Sequence, residues 1–350
     1  MKLTRISGEE SSARRRRGSG AGLRVLALAV WLAPTGLPAA QKATLLNVSY
    51  DLSREFYQEV NPVFAAQWKQ QNGETLAIRQ SHGGSSKQAQ SVVNGLEADV
   101  VTMNQPTDID LLAKVRLLPA NWASRLPNHS VPYTSTIVFV VRQGNPKHIK
   151  TWDDLIQPGV SVVIPNPKTS GNGRYSYLAA WGHVKKAGGT DEQAQDFLGK
   201  LFGNVPVLDT GGRGATITFA NHGIGDVLLT FENEAAQIRD TFSSEAMEVV
   251  IPPDSILAEN PVAWVDRNVE RHHTEAVARA YLEFLYGEAG QELAAKYYFR
   301  PKSATALAKY PGRFPAVSLF TVAEVAGGWP QAEAVHFADG GIFDRIFQKP

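Results

Sequence analysis

The chain has 350 residues, 43% of them hydrophobic, no cysteine, and a formal charge of +1 from 35 basic and 34 acidic side chains. Without cysteine there can be no disulfide, thiolate metal site or thiol nucleophile, and the length predicts two domains large enough to stand without such staples. Residues 1–40 hold 7 basic and 2 acidic side chains, leaving 28 basic and 32 acidic in the remainder, a formal −4 that suits nucleic acid poorly.

The first 40 residues differ from the rest. Arg14 to Arg17 precede an apolar run from Val25 to Ala33, and small residues follow up to Ala40. This pattern predicts a secretory signal peptide over residues 1–40, with the twin-arginine and general export routes both open. Its apolar core is too short to span a bilayer, and no later stretch approaches the roughly 20 apolar residues a spanning helix needs.

Ala43 to Ser49 has the composition of a buried strand. Asp51 or Ser53 then offers an N-cap for a helix from Arg54 to about Gln71, on which Phe56, Val60, Phe64 and Trp68 share a face and after which Gly73 closes the element. Pro62 is predicted to kink or interrupt that helix. A short strand over Leu76 to Arg79 leads into Gln80–Gln88, a loop with Gly83, Gly84 and Ser85 at the start of another helix, and Ala98 to Met103 reads as the next strand. Ser86 and Lys87 are neighbours and so point to different faces, which argues against a Ser/Lys hydrolase pair. His82 is expected to serve as a hydrogen-bonding group. Residues 104 to 130 read as loop and helix, and Thr136 to Val141 is an apolar strand suited to run between two lobes.

The next stretch carries the most chemistry. A strand from Val160 to Ile164 enters Pro165-Asn-Pro-Lys-Thr-Ser-Gly-Asn-Gly-Arg174, which cannot be helical through its two prolines. A helix follows, with Leu178, Trp181 and Val184 on one face, Lys185 and Lys186 in its last turn and Gly188-Gly189 after it. The first N–H groups of a helix lack intrahelical acceptors and its dipole favours negative charge there, so Ser170, Gly171 and Asn172 are laid out as an anion site. An ordinary crossover with a turn-easing glycine would look the same. Asp191 to Leu201 predicts a further helix, ended by Gly203.

The arrangement then repeats. Val205 to Asp209 is a strand, Thr210 to Gly214 a glycine loop, Ala215 to Asn221 a short helix, and Gly225 to Phe231 a strand that runs into a helix at Glu232. Turns after Asp51, Gly84, Ser170 and Gly212 would thus all lie at carboxyl ends of strands, where α/β folds hold ligands. Glu248 to Pro253 and Pro261 to Val265 read as strands, and 275–286 and 291–298 as helices. The pair His272-His273 lacks the spacing that would place both on one helix face and is assigned to the surface. No H-x-x-x-H, G-x-S-x-G or EF-hand pattern occurs, so no metal, cofactor or activated nucleophile is expected.

Several long blocks together resemble the periplasmic sulfate-binding proteins of sulfate/thiosulfate ABC importers. They are Asn47–Asp51 with Arg54-Glu55, Gln80–Ser85 with Lys87-Gln88, Pro132–Phe139, Pro165–Lys168 with Ser170-Gly171, Gly223–Val227 with Glu232–Ala235, and His336–Gly341. The resemblance implies an α/β, two-lobed type II periplasmic binding protein: residues 41–130 and 255–350 as lobe one, 131–254 as lobe two, with an anion in the cleft between them. It implies backbone N–H donors at Asp51, Ser85, Gly171, Asn172 and Gly212 and a hydroxyl donor at Ser170. Where the family usually carries a tryptophan indole N–H, this chain has Phe231, which can donate nothing. A donor-only site suits fully ionised sulfate or thiosulfate, whereas monohydrogen phosphate would bury a proton without an acceptor. Arg174 and Arg213 are expected near the site but outside contact with the anion. The implied role is non-enzymatic: a monomer in the periplasm that hands its anion to a membrane permease. Molybdate or phosphate as ligand, or an enzyme acting on sulfate esters, are the alternatives.

Overall fold

The structure is a computed structural model that describes residues 42–241 and 247–347. The expected signal peptide lies outside the described residues. Numbered along the chain, the strands are β1 (Lys42–Tyr50), β2 (Thr75–Gly83), β3 (Val100–Thr102), β4 (Tyr133–Arg142), β5 (Val162–Pro165), β6 (Leu208–Asp209), β7 (Val227–Phe231), β8 (Met247–Val250), β9 (Asp254–Asn260), β10 (Val262–Trp264), β11 (Arg300–Pro301) and β12 (Ser318–Phe320).

They form two mixed sheets. The smaller runs β10-β3-β1-β2, with β1 parallel to β2 and β3 and only β10 antiparallel. The larger runs β12-β9-β4-β7-β5-β6, with β8 and β11 also paired to β4. Alternation explains why these strands read as continuous apolar runs. Along β4, Ile137, Phe139 and Val141 enter the main core while Val138 and Val140 enter a second one with Ala215 and Phe219. On β1, Leu45 packs in the main core with Phe56, and Val48 on the other side with Ala89 and Val92. A strand buried on both faces needs apolar residues at every position.

The helix Arg54–Asn72 continues through Pro62 without an interruption there. Pro62 and Gln58 are exposed, so the carbonyl that loses its bond to the missing N–H faces water, while Phe56, Val60 and Phe64 hold the opposite side in the core. β2 reaches Gly83 rather than stopping at Arg79, because the whole of β1 is available to pair with it. β9 carries polar residues and was not anticipated; its Ser255 satisfies itself by donating to the Ile137 carbonyl at 2.8 Å.

The C-terminal stretch, expected with lobe one through residue 350, packs on the larger sheet. β12 pairs in parallel with β9, and the Trp181 indole donates to the Val325 carbonyl at 3.0 Å. Phe343 meets Phe202 edge to face with ring centroids 5.4 Å apart, and Lys168 Nζ meets Asp344 Oδ2 at 2.9 Å. A tail rich in aromatic residues docks wherever a complementary apolar face remains open, and sequence order does not say where that is.

Candidate anion site

Five turns at the carboxyl ends of strands meet between the two sheets. From the smaller sheet come the turn after β1, with Asp51, the turn after β2, with Gly84 and Ser85, and the turn after β3, with Asn104. From the larger come Thr169 to Asn172 after β5 and Thr210 to Gly212 after β6. Their closeness is measurable. A Cβ on Gly84 would stand 2.6 Å from the Thr169 carbonyl oxygen and 2.8 Å from that of Thr210, and the Thr169 hydroxyl donates to the Thr210 carbonyl at 3.0 Å.

Three helices begin here with their N-termini turned to the same place: Ser85–Val93, Gly171–Lys186 and Gly212–Ala220. Their first N–H groups have no acceptor within their own helices. The side chains of Ser85 and Asn172 are committed elsewhere, which leaves the N–H groups as the donors at those two positions. The Ser85 hydroxyl faces Met103 Sδ at 3.6 Å and accepts from the Asn104 N–H at 3.3 Å. The Asn172 carboxamide donates to Thr230 Oγ1 at 3.1 Å and accepts from Ser176 Oγ at 3.3 Å. Ser170 caps its helix by accepting from the Gly173 N–H at 3.4 Å, so its own hydroxyl proton is free to donate outward.

Asp51 behaves differently from the expected cap of its own helix. Its Oδ2 accepts from the Arg213 N–H at 3.0 Å, across to the other sheet. The helix Arg54–Asn72 starts without any side-chain cap, and Ser53 Oγ donates to the Tyr50 carbonyl at 2.7 Å. Phe231, at the end of β7, is fully buried with its ring edge-on to Tyr50 and Tyr175, at centroid distances of 6.3 and 5.7 Å. Thus the structure brings Asp51, Ser85, Ser170, Gly171, Asn172 and Gly212 to one locus, with Phe231 joined to it through Tyr50.

Arg174 and Arg213, the two arginines that follow the larger-sheet turns, are each paired with carboxylates. Arg174 donates through Nε to the Pro167 carbonyl at 2.8 Å and pairs through Nη1 with Glu333 at 2.8 Å. Arg213 pairs with Glu55 at 2.7 Å and stands 3.5 Å from Glu234. Burial pushes the Asp51 and Asp108 carboxyls upward, with the Arg213 N–H and guanidinium partly offsetting this at Asp51 and Arg174 at Asp108. Glu234 is pushed up to about 7 by burial, and its Oε1 accepts from Thr216 Oγ1 at 2.7 Å. Burial and the Arg54 charge hold His82 down to about 4, and its Nδ1 shares a hydrogen bond with Ser49 Oγ at 2.7 Å. His272, assigned to the surface from its sequence, is half-buried and sits 2.8 Å from Asp99 and 3.1 Å from Glu97.

A groove of about 1100 Å³ lies beside this locus. Ser86, Thr169 and Arg174 line it; Asp51, Gly171 and Gly212 do not. Three residues of the locus escaped sequence reasoning. Asn104 sits at a fifth strand-to-helix turn, ahead of a helix that begins at Pro106, a signal of the same kind as the other four. Tyr50, whose hydroxyl is buried without a hydrogen-bond partner among the described residues, and Glu234 are placed by the meeting of the sheets, and nothing local marks them.

The profile of the bacterial extracellular solute-binding proteins matches residues 53–300. A thiosulfate-binding protein from Pseudomonas aeruginosa is 56% identical over 304 residues, 87% of this chain and 92% of that one. A sulfate-binding protein from Salmonella typhimurium is 53% identical over 311 residues, 89% and 94% of the two chains. Among solved structures, a sulfate-binding protein from Mycobacterium tuberculosis superposes with a TM-score of 0.76 at 31% identity, over 83% of this chain and 98% of that chain.

Proposed function

This chain belongs to the bacterial extracellular solute-binding proteins, and we propose that it captures sulfate or thiosulfate and delivers it to an ABC permease. The observation that carries the reading is the convergence of three helix N-termini on a locus whose arginines are already paired with carboxylates. Neutral donors can spread the two negative charges of an oxyanion without burying an opposing ion pair, whose desolvation offsets much of its attraction. The N–H groups of Asp51, Ser85, Gly171, Asn172 and Gly212 and the Ser170 hydroxyl are the proposed donors. The larger sheet with the C-terminal stretch would form one lobe, and the smaller sheet the other. In this reading the protein is a monomer exported to the periplasm by residues 1–40, and it catalyses nothing.

Phe231 favours thiosulfate of the two. A terminal sulfur is a weak hydrogen-bond acceptor and sits well against a ring, whereas a fourth sulfate oxygen there would lack a charge-assisted bond. The test is calorimetric titration of the anion-free protein with sulfate, thiosulfate, molybdate and phosphate at neutral pH. One-to-one binding of sulfate and thiosulfate with phosphate silent is expected. Silence to both would overturn the reading.

A further inference from the structure

Asn104 and Gly171 face each other from the two sheets. A Cβ on Gly171 would stand 1.8 Å from Asn104 Oδ1, 2.6 Å from its Cγ and 2.9 Å from its Nδ2, so the carboxamide reaches Gly171 with its oxygen foremost and only glycine leaves room for it. The Asn104 N–H donates to Ser85 Oγ at 3.3 Å. The side chain therefore occupies the space between two of the proposed backbone donors.

Asn104 is 2% exposed, and its Oδ1 is buried without a hydrogen-bond partner among the described residues. A buried amide left unsatisfied bears a desolvation cost, and native interiors rarely keep one without a reason. No group among the described residues holds Oδ1, and a half-turn of the nearly isosteric amide exchanges Oδ1 and Nδ2 without a change of shape, presenting an N–H where Oδ1 stands. A carboxamide also adds donors without adding charge, in keeping with the rest of the locus.

We propose that Asn104 is a further ligand-contacting residue, its carboxamide N–H donating to the bound oxyanion beside the backbone donors of Ser85 and Gly171. This rests on the sulfate/thiosulfate reading above. The smaller sheet would then hold the anion with a side chain as well as with the backbone of Asp51 and Ser85.

The test compares wild type, Asn104→Ala and Asn104→Asp in calorimetric titrations with sulfate and with thiosulfate, alongside melting of the anion-free proteins. Asn104→Ala should weaken binding about ten- to hundred-fold, as for a lost bond to a charged group. Its anion-free melting temperature should not fall, since an unsatisfied amide has been removed. Asn104→Asp, nearly the same shape, should lose more at pH 7 because a carboxylate now faces the anion. Affinity within about three-fold of wild type in Asn104→Ala would assign Oδ1 to an ordered water and overturn the proposal. Should Asn104→Ala melt early, the aspartate variant decides: unchanged affinity there overturns it equally. Wild type silent to both anions would instead withdraw the underlying reading, and this inference with it.

Discussion

The Arg213 N–H donates to Asp51 Oδ2 at 3.0 Å, tying the first turn of a larger-sheet helix to the end of β1 in the smaller sheet. This bond uses the second N–H of the helix Gly212–Ala220 and leaves the first, on Gly212, for a ligand. Asp51→Ala should weaken anion binding by about 1.5–3 kcal/mol, the range for a hydrogen bond to a charged group. Asp51→Asn keeps an acceptor oxygen and should recover most of that loss. Calorimetry on the two variants checks both, and equal affinities in the two would show that the bond is not needed.

At Gly84 turns of the two sheets meet backbone to backbone, with no room for a Cβ against two carbonyls. Backbone cannot swing aside as a side chain can. Gly84→Ala should therefore force the turns after β5 and β6 away from Ser85 and weaken binding at least ten-fold. The anion-free melting temperature of the same variant separates this from a general loss of fold.

Glu234 links stability to pH. Its carboxyl is held near 7 in the folded protein against an ordinary value of 4.5, so between these the folded state binds more protons than the unfolded one. Stability must then fall as pH rises through this window, by about 3 kcal/mol for a shift of this size. Glu234→Gln removes that slope while keeping an acceptor for Thr216. Melting temperatures at pH 5 and pH 8 should differ less in the variant than in wild type; equal differences would mean that Glu234 stays ionised throughout.

Phe231→Trp would restore an indole N–H at the end of β7. Sulfate binding should tighten by at most about 1.5–3 kcal/mol, and thiosulfate, if its sulfur rests on the ring, should gain less or lose. Unchanged sulfate affinity would mean that another donor already serves that oxygen. The double variant Phe231→Trp with Asn104→Ala then tests whether the two are interchangeable.

The sequence by itself determined the local grammar of this protein. Glycine, serine and aspartate at the ends of apolar runs marked the turns after β1, β2, β5 and β6, because a helix start needs a cap and a backbone free to bend. The same patterns placed the helices Arg54–Asn72, Gly171–Lys186 and Asp191–Gly203 within a residue or two. Only the tertiary structure decided which groups those turns present to one another. That Asp51 caps the helix at Gly212 rather than its own, that Asn104 lies on Gly171, that Arg213 spends its charge on Glu55 and Glu234, and that residues 318–347 join the larger sheet are all contacts between segments far apart in the chain. Such contacts are set by how two sheets fit together, and hydrophobic period and turn chemistry, which act over a few residues, hold no record of them.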